Sequence, residues 1–387
     1  MNTTDAWVLS QGQRRPDDSD GLAPAQLELR KIPCPEPQDH EVLVEPIFGC
    51  WEANMTHALQ RVPVDVCRLR MEDFVVLGNA GMVRVLKPGR AVSSFAEGDL
   101  CLLVPIGKQD EHGNLVTVVG YDAHGTHGLL AKRINLLPRQ LLKLEDDGIS
   151  LHKWAAFSLR YSTAWVNWQV SFGTYRLIAS AEQVPEPWVV GWGGGVSFAQ
   201  LQLARHFGCK VALIASGEER HAAAARAGMV PIDRADFDGL DFDESRYNSD
   251  RAYKSRYLKA EARFIRAVRE VTGDGAAIFI DNIGRPVFRA TLKALTSQAV
   301  ITTCGWKFGQ DISYRRAAAC MRRHQLVHTH GASYAQGEAA VNFAREHAWL
   351  PEEPERIFGW DEVPALAEAY AAGRVSSYFP LYKINPL

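Results

Sequence analysis

The segment Trp188–Ala204, WVVGWGGGVSFAQLQLA, joins an apolar run to a helix-patterned one through Gly191, Gly193, Gly194 and Gly195. Glycines so placed let backbone N–H groups at a helix N-terminus close on a pyrophosphate, and the dinucleotide-binding form of the turn reads G-x-G-x-x-G. Ser197 stands where a closing glycine is expected; it is small enough for helix–strand packing to survive, while its Cβ and hydroxyl would crowd a close contact. Trp192 within the turn is a second departure. The candidate cofactor residues of the turn are Gly191, Gly193, Gly194, Gly195 and Val196; a structural turn without a ligand is the competing reading. The next apolar run, KVALIAS, ends without the Asp or Glu that commonly bonds the ribose 2′-hydroxyl of NAD. The first acids, Glu218 and Glu219, open the following helix, where they complement its N-terminal partial charge. Ser216 and Arg220 suit a 2′-phosphate, because a guanidinium matches phosphate geometry, and they favour NADPH. A solvated helix position is the other reading of Arg220.

Three histidines, His324, His328 and His330, cluster in RRHQLVHTH. Alternation through LVHTHGASY predicts a strand with His328 and His330 on one face. That pattern fits proton transfer, plain surface polarity, or a two-histidine metal site still short of ligands. The seven cysteines, at 34, 50, 67, 101, 209, 304 and 320, form no C-x-x-C and are odd in number. Reduced thiols are therefore expected, not a disulfide framework or a four-cysteine zinc lobe. Trp154, Phe157, Tyr161, Trp165 and Trp168 recur at three- and four-residue spacing and predict a buried helical face. Tyr121 and Trp192 have a core-aromatic reading as well.

A chain of 387 residues, 47% apolar and 23% charged, calls for two globular domains. The net charge of −2 gives no reason to expect nucleic acid or an anionic membrane as partner. No apolar run approaches the roughly 18–20 residues of a membrane span. The opening MNTTDAWVLSQGQRRPDDSDG lacks a signal-peptide layout, so a cytoplasmic protein is expected. In residues 1–165 the runs EVLVEPIFGC, VLGNAGMVRVLKPG and SFAEGDLCLLVPIG read as short strands of a β-rich, barrel-like domain. Ser150 is placed to cap a helix over SLHKWAAFSLRYSTAWVNWQVSF. Residues 166–325 alternate strand and helix: WVVGW, SFAQLQLARHFG, KVALIAS, EERHAAAARAG, then AAIFIDNIG, PVFRATLKALT and QAVITTCGW. Strands this apolar predict an α/β, doubly wound parallel sheet covered on both faces. The charged stretch Arg234–Arg263 reads as a surface excursion leading into a helix. Residues 326–387 return to mixed patterning and to the first domain.

VLGNAGMVRVLKPGRAVSSFAEGDLCLL, GWGGGVSFAQLQLA, ARAGMVPIDR and AIFIDNIGRPVF with LTSQAVITTCG occur in an order that resembles the medium-chain dehydrogenase/reductase superfamily over most of the chain. The resemblance implies a GroES-like β-rich catalytic domain, a Rossmann NADP-binding domain, an active cleft between them and a homodimer, and it adds Cys304 to the cofactor-binding residues. Zinc alcohol dehydrogenases of the superfamily carry a Cys in a G-I-C-type segment and a G-H-E segment. Here Cys50 holds the first place in FGCWEAN, but LGNAG puts Asn79 where the His would be and lacks the acid. Three protein ligands are needed, so no catalytic zinc is expected and Cys50 reads as a buried thiol. His57 has no spacing that would make it a substitute ligand.

Within the zinc-free branch the chain is similar to crotonyl-CoA carboxylase/reductase-like enoyl-thioester reductases. Their G-[FY]-E segment matches GYDAHGTHG and places Tyr121 and Asp122; their G-S-H-F-A-N-Y segment matches HTHGASYAQ and places His330 and Tyr334. Asn54 resembles an asparagine of N-Y-N-x-V-W-A, with Ala53 replacing the tyrosine. The resemblance implies NADPH-dependent reduction of a small-molecule or carrier-bound enoyl thioester, with carboxylation as a coupled step. In that chemistry His330 or Tyr334 would polarise the carbonyl or supply the proton, Asp122 would set a histidine's protonation, and Asn54 would orient a carbonyl. Two other classes stay open: a repurposed member performing a non-redox step, and a non-catalytic scaffold subunit.

Overall fold

The computed structural model describes residues 2–12, 25–305, 308, 311–312 and 316–387. Trp306, the last residue of the run QAVITTCGW, and part of the opening segment weighed against a signal peptide lie outside them. The chain divides into two compact units, Met1–Ser162 with His330–Leu387, and Thr163–Thr329. The boundary falls inside the helix Leu151–Ile178. Ser150 precedes that helix and its hydroxyl accepts from the His152 N–H at 3.2 Å.

The first unit is β-rich. Its seven-stranded sheet runs Ile357–Phe358, Leu381–Lys383, Val42–Cys50, Gly81–Pro88, Leu100–Leu103, Leu141–Lys143, and Ile134–Leu136 pairs with Val42–Cys50 off that path. A three-stranded sheet sets Thr3–Ser10 between Glu28–Pro33 and Phe74–Val75. Leu381–Lys383 pairs antiparallel with Phe48–Cys50, so the last residues of the chain complete a sheet begun by its first fifty. Trp154, Phe157 and Tyr161 are buried, and Trp349 meets Phe157 and Tyr161 at ring distances of 5.6 and 4.9 Å. The expected helical aromatic face is a core face, with Trp168 buried and Trp165 partly so in the second unit.

The second unit is a six-stranded, wholly parallel sheet in the order Val230–Asp233, Lys210–Ala215, Trp188–Trp192, Ala276–Ile280, Leu295–Thr303, Gln325–His328. This is the doubly wound order third–second–first–fourth–fifth–sixth. The direction of winding reverses between Trp188–Trp192 and Ala276–Ile280, where ligands of such sheets gather at the strands' carboxyl ends. The expected α/β, doubly wound parallel sheet and the expected β-rich unit are what the chain forms.

The charged stretch Arg234–Arg263 is more than a surface excursion. It forms the helices Glu244–Ser249 and Arg251–Thr272, and contributes Phe237, Leu240, Tyr253 and Tyr257 to the core. Its basic residues sit on the exposed face of a strongly amphipathic helix, so composition alone hid the buried stripe at Tyr253, Tyr257, Ala260, Phe264 and Val268. Among the described residues no helix is long and apolar enough to cross a membrane.

Candidate functional site

In the second unit the strand Trp188–Trp192 runs into the helix Gly195–His206 through Gly193 and Gly194. The Gly193 N–H donates to Ile214 C=O at 2.7 Å, and a Cβ on Gly193 would sit 3.0 Å from that oxygen. Gly194, at φ 150°, meets nothing within 4 Å of where a Cβ would stand. The turn is thus pinned on the sheet side and open on the other. The N–H groups of Gly195, Val196 and Ser197 are first-turn groups with no helical acceptor of their own. This is a cradle that a pyrophosphate fits.

Ser197 packs at the helix start. It is buried, and its Oγ accepts from Asn282 Nδ2 at 3.1 Å. Asn282 Oδ1 in turn accepts from the Cys304 N–H at 2.9 Å and lies 3.4 Å from Cys304 Sγ. One amide therefore ties together the residues after the first, fourth and fifth strands. Burial pushes the Cys304 thiol up to about 12, so it stays protonated at neutral pH. Deeper in the unit, Asn167 Oδ1 accepts from Gln200 Nε2 at 3.1 Å and from the Thr302 hydroxyl.

Trp192 also has a structural account. Its ring stacks on Phe264 at 5.0 Å and its Nε1–H donates to Thr291 Oγ1 at 2.9 Å. Thr291 reaches Asp281 Oδ2 at 3.0 Å, while Asp281 Oδ1 accepts from the N–H groups of Ile283 and Gly284 at 3.0 and 2.9 Å. Burial raises Asp281 from 3.8 to about 6 despite these donors. Ser216 follows the strand Lys210–Ala215 directly and is exposed; Arg220 lies in the first turn of Glu218–Arg226, behind the first-turn acids Glu218 and Glu219.

The expected substrate-side residues have the following settings. The strand predicted through His328 and His330 ends at His328, and His330 is exposed in the loop beyond it, in the other unit. Gly331 breaks the run: its φ of 100° is closed to an extending strand, and a Cβ there would sit 2.6 Å from Leu115. His324 is buried instead, with Nε2 2.9 Å from Thr296 C=O, and burial lowers its proton affinity. Tyr334 begins the helix Tyr334–His347, capped by Ser333; burial, Glu338 and Cys101 raise its phenol. Asp122 Oδ1 accepts from the Val118 N–H at 2.6 Å, a bond that closes the Val118–Asp122 turn. Tyr121 is buried, and burial followed by Glu52 and Asp122 raises its phenol.

Asn54 leads to residues the sequence reading passed over. It opens the helix Ala53–Gln60, whose N-cap is Glu52: the Asn54 N–H donates to Glu52 Oε2 at 2.9 Å. Glu52 is 5% exposed and Oε1, itself buried, has no partner. Arg160, buried in the helix Leu151–Ile178, donates through Nη1 to Cys50 Sγ at 2.7 Å and through Nη2 to Trp51 C=O at 2.6 Å. It also bonds the Tyr370 hydroxyl. Burial works against the Arg160 charge, but Cys50, Tyr370 and Glu52 hold it above its ordinary affinity. Burial raises Glu52, with Arg160 and the N–H groups of Asn54 and Met55 opposing, and burial likewise raises Cys50. The sulfur that the resemblance set beside a lost zinc site is engaged by a guanidinium. Asn79 is 1% exposed, with neither end of its amide partnered. An acid directly after an apolar strand and an arginine on an aromatic helix face were the signals available for Glu52 and Arg160.

Among the described residues no three His, Cys, Asp or Glu side chains group to hold a metal. No family model and no curated protein sequence matches the chain. Solved structures do. A 2-octenoyl-CoA carboxylase reductase, CinF, in complex with NADP and 2-octenoyl-CoA, is 19% identical, with 100% of this chain and 88% of that one covered at a TM-score of 0.79. A crotonyl-CoA carboxylase/reductase, AntE, in complex with NADP, is 22% identical over 98% of this chain and 94% of that one, at 0.77. An NAD-dependent alcohol dehydrogenase is 19% identical over 98% and 100%, at 0.74. At these identities the likeness establishes the fold, which the chain shares with these carboxylase reductases and this alcohol dehydrogenase.

Proposed function

We propose that this chain is an NADPH-dependent reductase of an activated alkene, acting on an enoyl thioester carried by coenzyme A or a carrier protein. The observation that carries the reading is the open Gly193–Gly194 turn at the switch point of a doubly wound sheet, held by the Ser197–Asn282–Cys304 bonds. NADPH bound there would supply hydride. The first-turn N–H groups of Gly195, Val196 and Ser197 would hold the pyrophosphate, with Gly191 and Gly193 giving the backbone its close approach. Ser216 and Arg220 would take the 2′-phosphate, since no acid stands at the end of Lys210–Ala215. Cys304, protonated and bonded to Asn282, would line the turn as a neutral group. CinF and AntE, both in complex with NADP, support this choice.

Two observations favour a zinc-independent reaction: Cys50 Sγ is taken by Arg160, and Asn79 replaces a basic ligand. Carbonyl polarisation then falls to hydrogen-bond donors of the chain. From the resemblance, Asn54, Tyr121, Asp122, His330 and Tyr334 are the proposed substrate-side residues.

Fluorescence titration with NADPH, followed by NADPH oxidation with crotonyl-CoA, 2-octenoyl-CoA and their carrier-protein thioesters, tests the reading. Micromolar binding and turnover with at least one thioester are expected. Binding without oxidation by any of them would leave a non-redox step, and no binding would leave a scaffold. Product analysis with and without added bicarbonate reads whether carboxylation accompanies reduction.

A further inference from the structure

Four polar atoms on three adjoining segments of the first unit are buried and unpartnered: Glu52 Oε1, both amide atoms of Asn79, and Tyr382 Oη. Each such atom costs about 1–3 kcal/mol when left unmatched, so native proteins rarely collect them without a polar guest. Their backbones interlock. The Cys50 N–H donates to Ala80 C=O at 2.9 Å, next to Asn79. Gly49 pairs with Tyr382 across the sheet, and Tyr382 Oη lies 3.2 Å from where a Cβ on Gly78 would stand. Glu52 bears electrostatically on both Tyr382 and Tyr121.

We propose that this cluster is where the thioester carbonyl is taken: Asn79 Nδ2 and Tyr382 Oη donate to its oxygen, and Glu52 delivers a proton to the substrate's α-carbon. The inference rests on the reductase reading above and assigns its proton source. A carbonyl oxygen offers two lone pairs, matched by an amide N–H and a phenol O–H. Glu52 has the arrangement of an acid. One oxygen is fixed by the N–H groups at the start of Ala53–Gln60, and the other is unengaged. Arg160 stands by to stabilise the carboxylate left after the proton has gone. His330, exposed beyond the strand Gln325–His328, offers none of this enclosure.

The step balances as follows. Hydride arrives at the β-carbon, the alkene π pair shifts to form an α-carbon–carbonyl-carbon double bond, and the carbonyl π pair moves onto oxygen. Asn79 and Tyr382 hold that enolate oxygen. The enolate then collapses, re-forming the carbonyl while the α-carbon takes the Glu52 proton. The alkene is reduced by two electrons, NADPH is oxidised, and Glu52 regains its proton from solvent. The titratable or charged groups facing Glu52 are Cys50 beside it, Arg160 on the long helix, Tyr121 on its loop, Tyr370 on Val363–Ala371 and Tyr382 on the sheet. Of these, burial raises the proton affinity of the tyrosines and the thiol, and Cys50, Tyr370 and Glu52 hold that of Arg160 above its ordinary value.

The test compares wild type, Glu52→Gln, Glu52→Asp and Tyr382→Phe with crotonyl-CoA as the probe. Glu52→Gln should lower kcat on the order of 10²–10⁴-fold, as expected when a positioned acid is lost. Its NADPH Kd and its KM for crotonyl-CoA should stay within about threefold, because the general acid acts on the chemical step. Wild-type kcat should fall as rising pH ionises Glu52, whose proton affinity burial raises; Glu52→Gln should lose that limb and Glu52→Asp should restore it at reduced rate. Protonation should become limiting in Glu52→Gln, so the isotope effect from deuterated NADPH shrinks while that from D2O grows. Tyr382→Phe should lower kcat about tenfold or more, the scale of one oxyanion donor. If wild type reduces crotonyl-CoA and Glu52→Gln keeps its rate and its fall with rising pH, the inference is overturned and the reductase reading stands. If wild type binds NADPH but reduces no thioester, that reading fails first. A Glu52→Gln protein that does not fold leaves the decision to Glu52→Asp and Tyr382→Phe; unchanged rates in both overturn the inference.

Discussion

A hydroxyl at position 197 brings a Cβ and a polar atom to a place where a hydrogen would suffice, and the chain matches it with the Asn282 amide at 3.1 Å. Replacing Ser197 by Ala leaves Asn282 Nδ2 without that acceptor inside a packed turn. Urea unfolding should therefore show a loss of about 1–2 kcal/mol with an unchanged slope, the usual scale of one buried hydrogen bond. An unchanged midpoint would mean that Asn282 finds another acceptor. Arg220 makes a different kind of contribution. If it meets the 2′-phosphate, Arg220→Ala removes a charge-assisted bond worth about 1.5–3 kcal/mol, or roughly 10–100-fold in NADPH Kd. NADH, which lacks that phosphate, should bind both proteins alike. Equal weakening of the two cofactors would instead place Arg220 in structural support of the helix Glu218–Arg226.

At the scale of elements, the carboxyl end of Ala276–Ile280 carries a buried acid whose ionisation the fold resists. Asp281 is raised from 3.8 to about 6 by burial, so its contribution is fully present below its unfolded value and is lost as pH rises through 6. That displacement corresponds to about 3 kcal/mol at most at pH 8. Asp281→Asn keeps the acceptor for the Ile283 and Gly284 N–H groups and cannot ionise. Its melting temperature should match wild type near pH 4 and exceed it increasingly between pH 4 and 6, with a plateau above. A gap that does not change with pH would show that Asp281 is already ionised in the folded state.

The elements around Asp281 were the most readable part of the chain. Alternating apolar strands and helix-patterned runs specify a parallel sheet because a strand buried on both faces has no polar register. What stayed hidden is instructive. The stripe of Arg251–Thr272 was masked by seven exposed basic residues, at 251, 254, 256, 259, 263, 266 and 269. The strand expected through His330 stopped at His328 because Gly331 takes a positive φ, a property of the fold and not of the alternation. Glu52 and Arg160, 108 positions apart in the chain, meet only through a helix that carries Arg160 to the end of Val42–Cys50. No spacing rule connects them. Motif likeness could name Cys50, but its partner Arg160 is set by tertiary packing.

The whole chain places its glycine turn in the internal segment Thr163–Thr329, whose sheet and core are contributed by that segment alone among the described residues. The first unit needs both ends of the chain, because Leu381–Lys383 lies between Val42–Cys50 and Ile357–Phe358. A ligand held by the internal segment should stabilise that segment's own opening equilibrium. NADPH at about a hundred times its Kd adds about 2.7 kcal/mol to the bound state, which slows exchange through global opening about a hundredfold. Hydrogen exchange read on peptides covering Trp188–Trp192, Lys210–Ala215 and Ala276–Ile280 is the measurement. These strands flank the turn through ladders such as Val189–Val211 and Val190–Phe279, so their innermost amides open only with the sheet. They should slow together and by the same factor, with NADH giving less at equal concentration. If only the peptide spanning Gly193–Ser197 slows, the cofactor is ordering a local loop and does not bind the sheet's native state. If none slows at a hundred times the concentration that quenches fluorescence, the bound nucleotide sits elsewhere and the turn is a structural one.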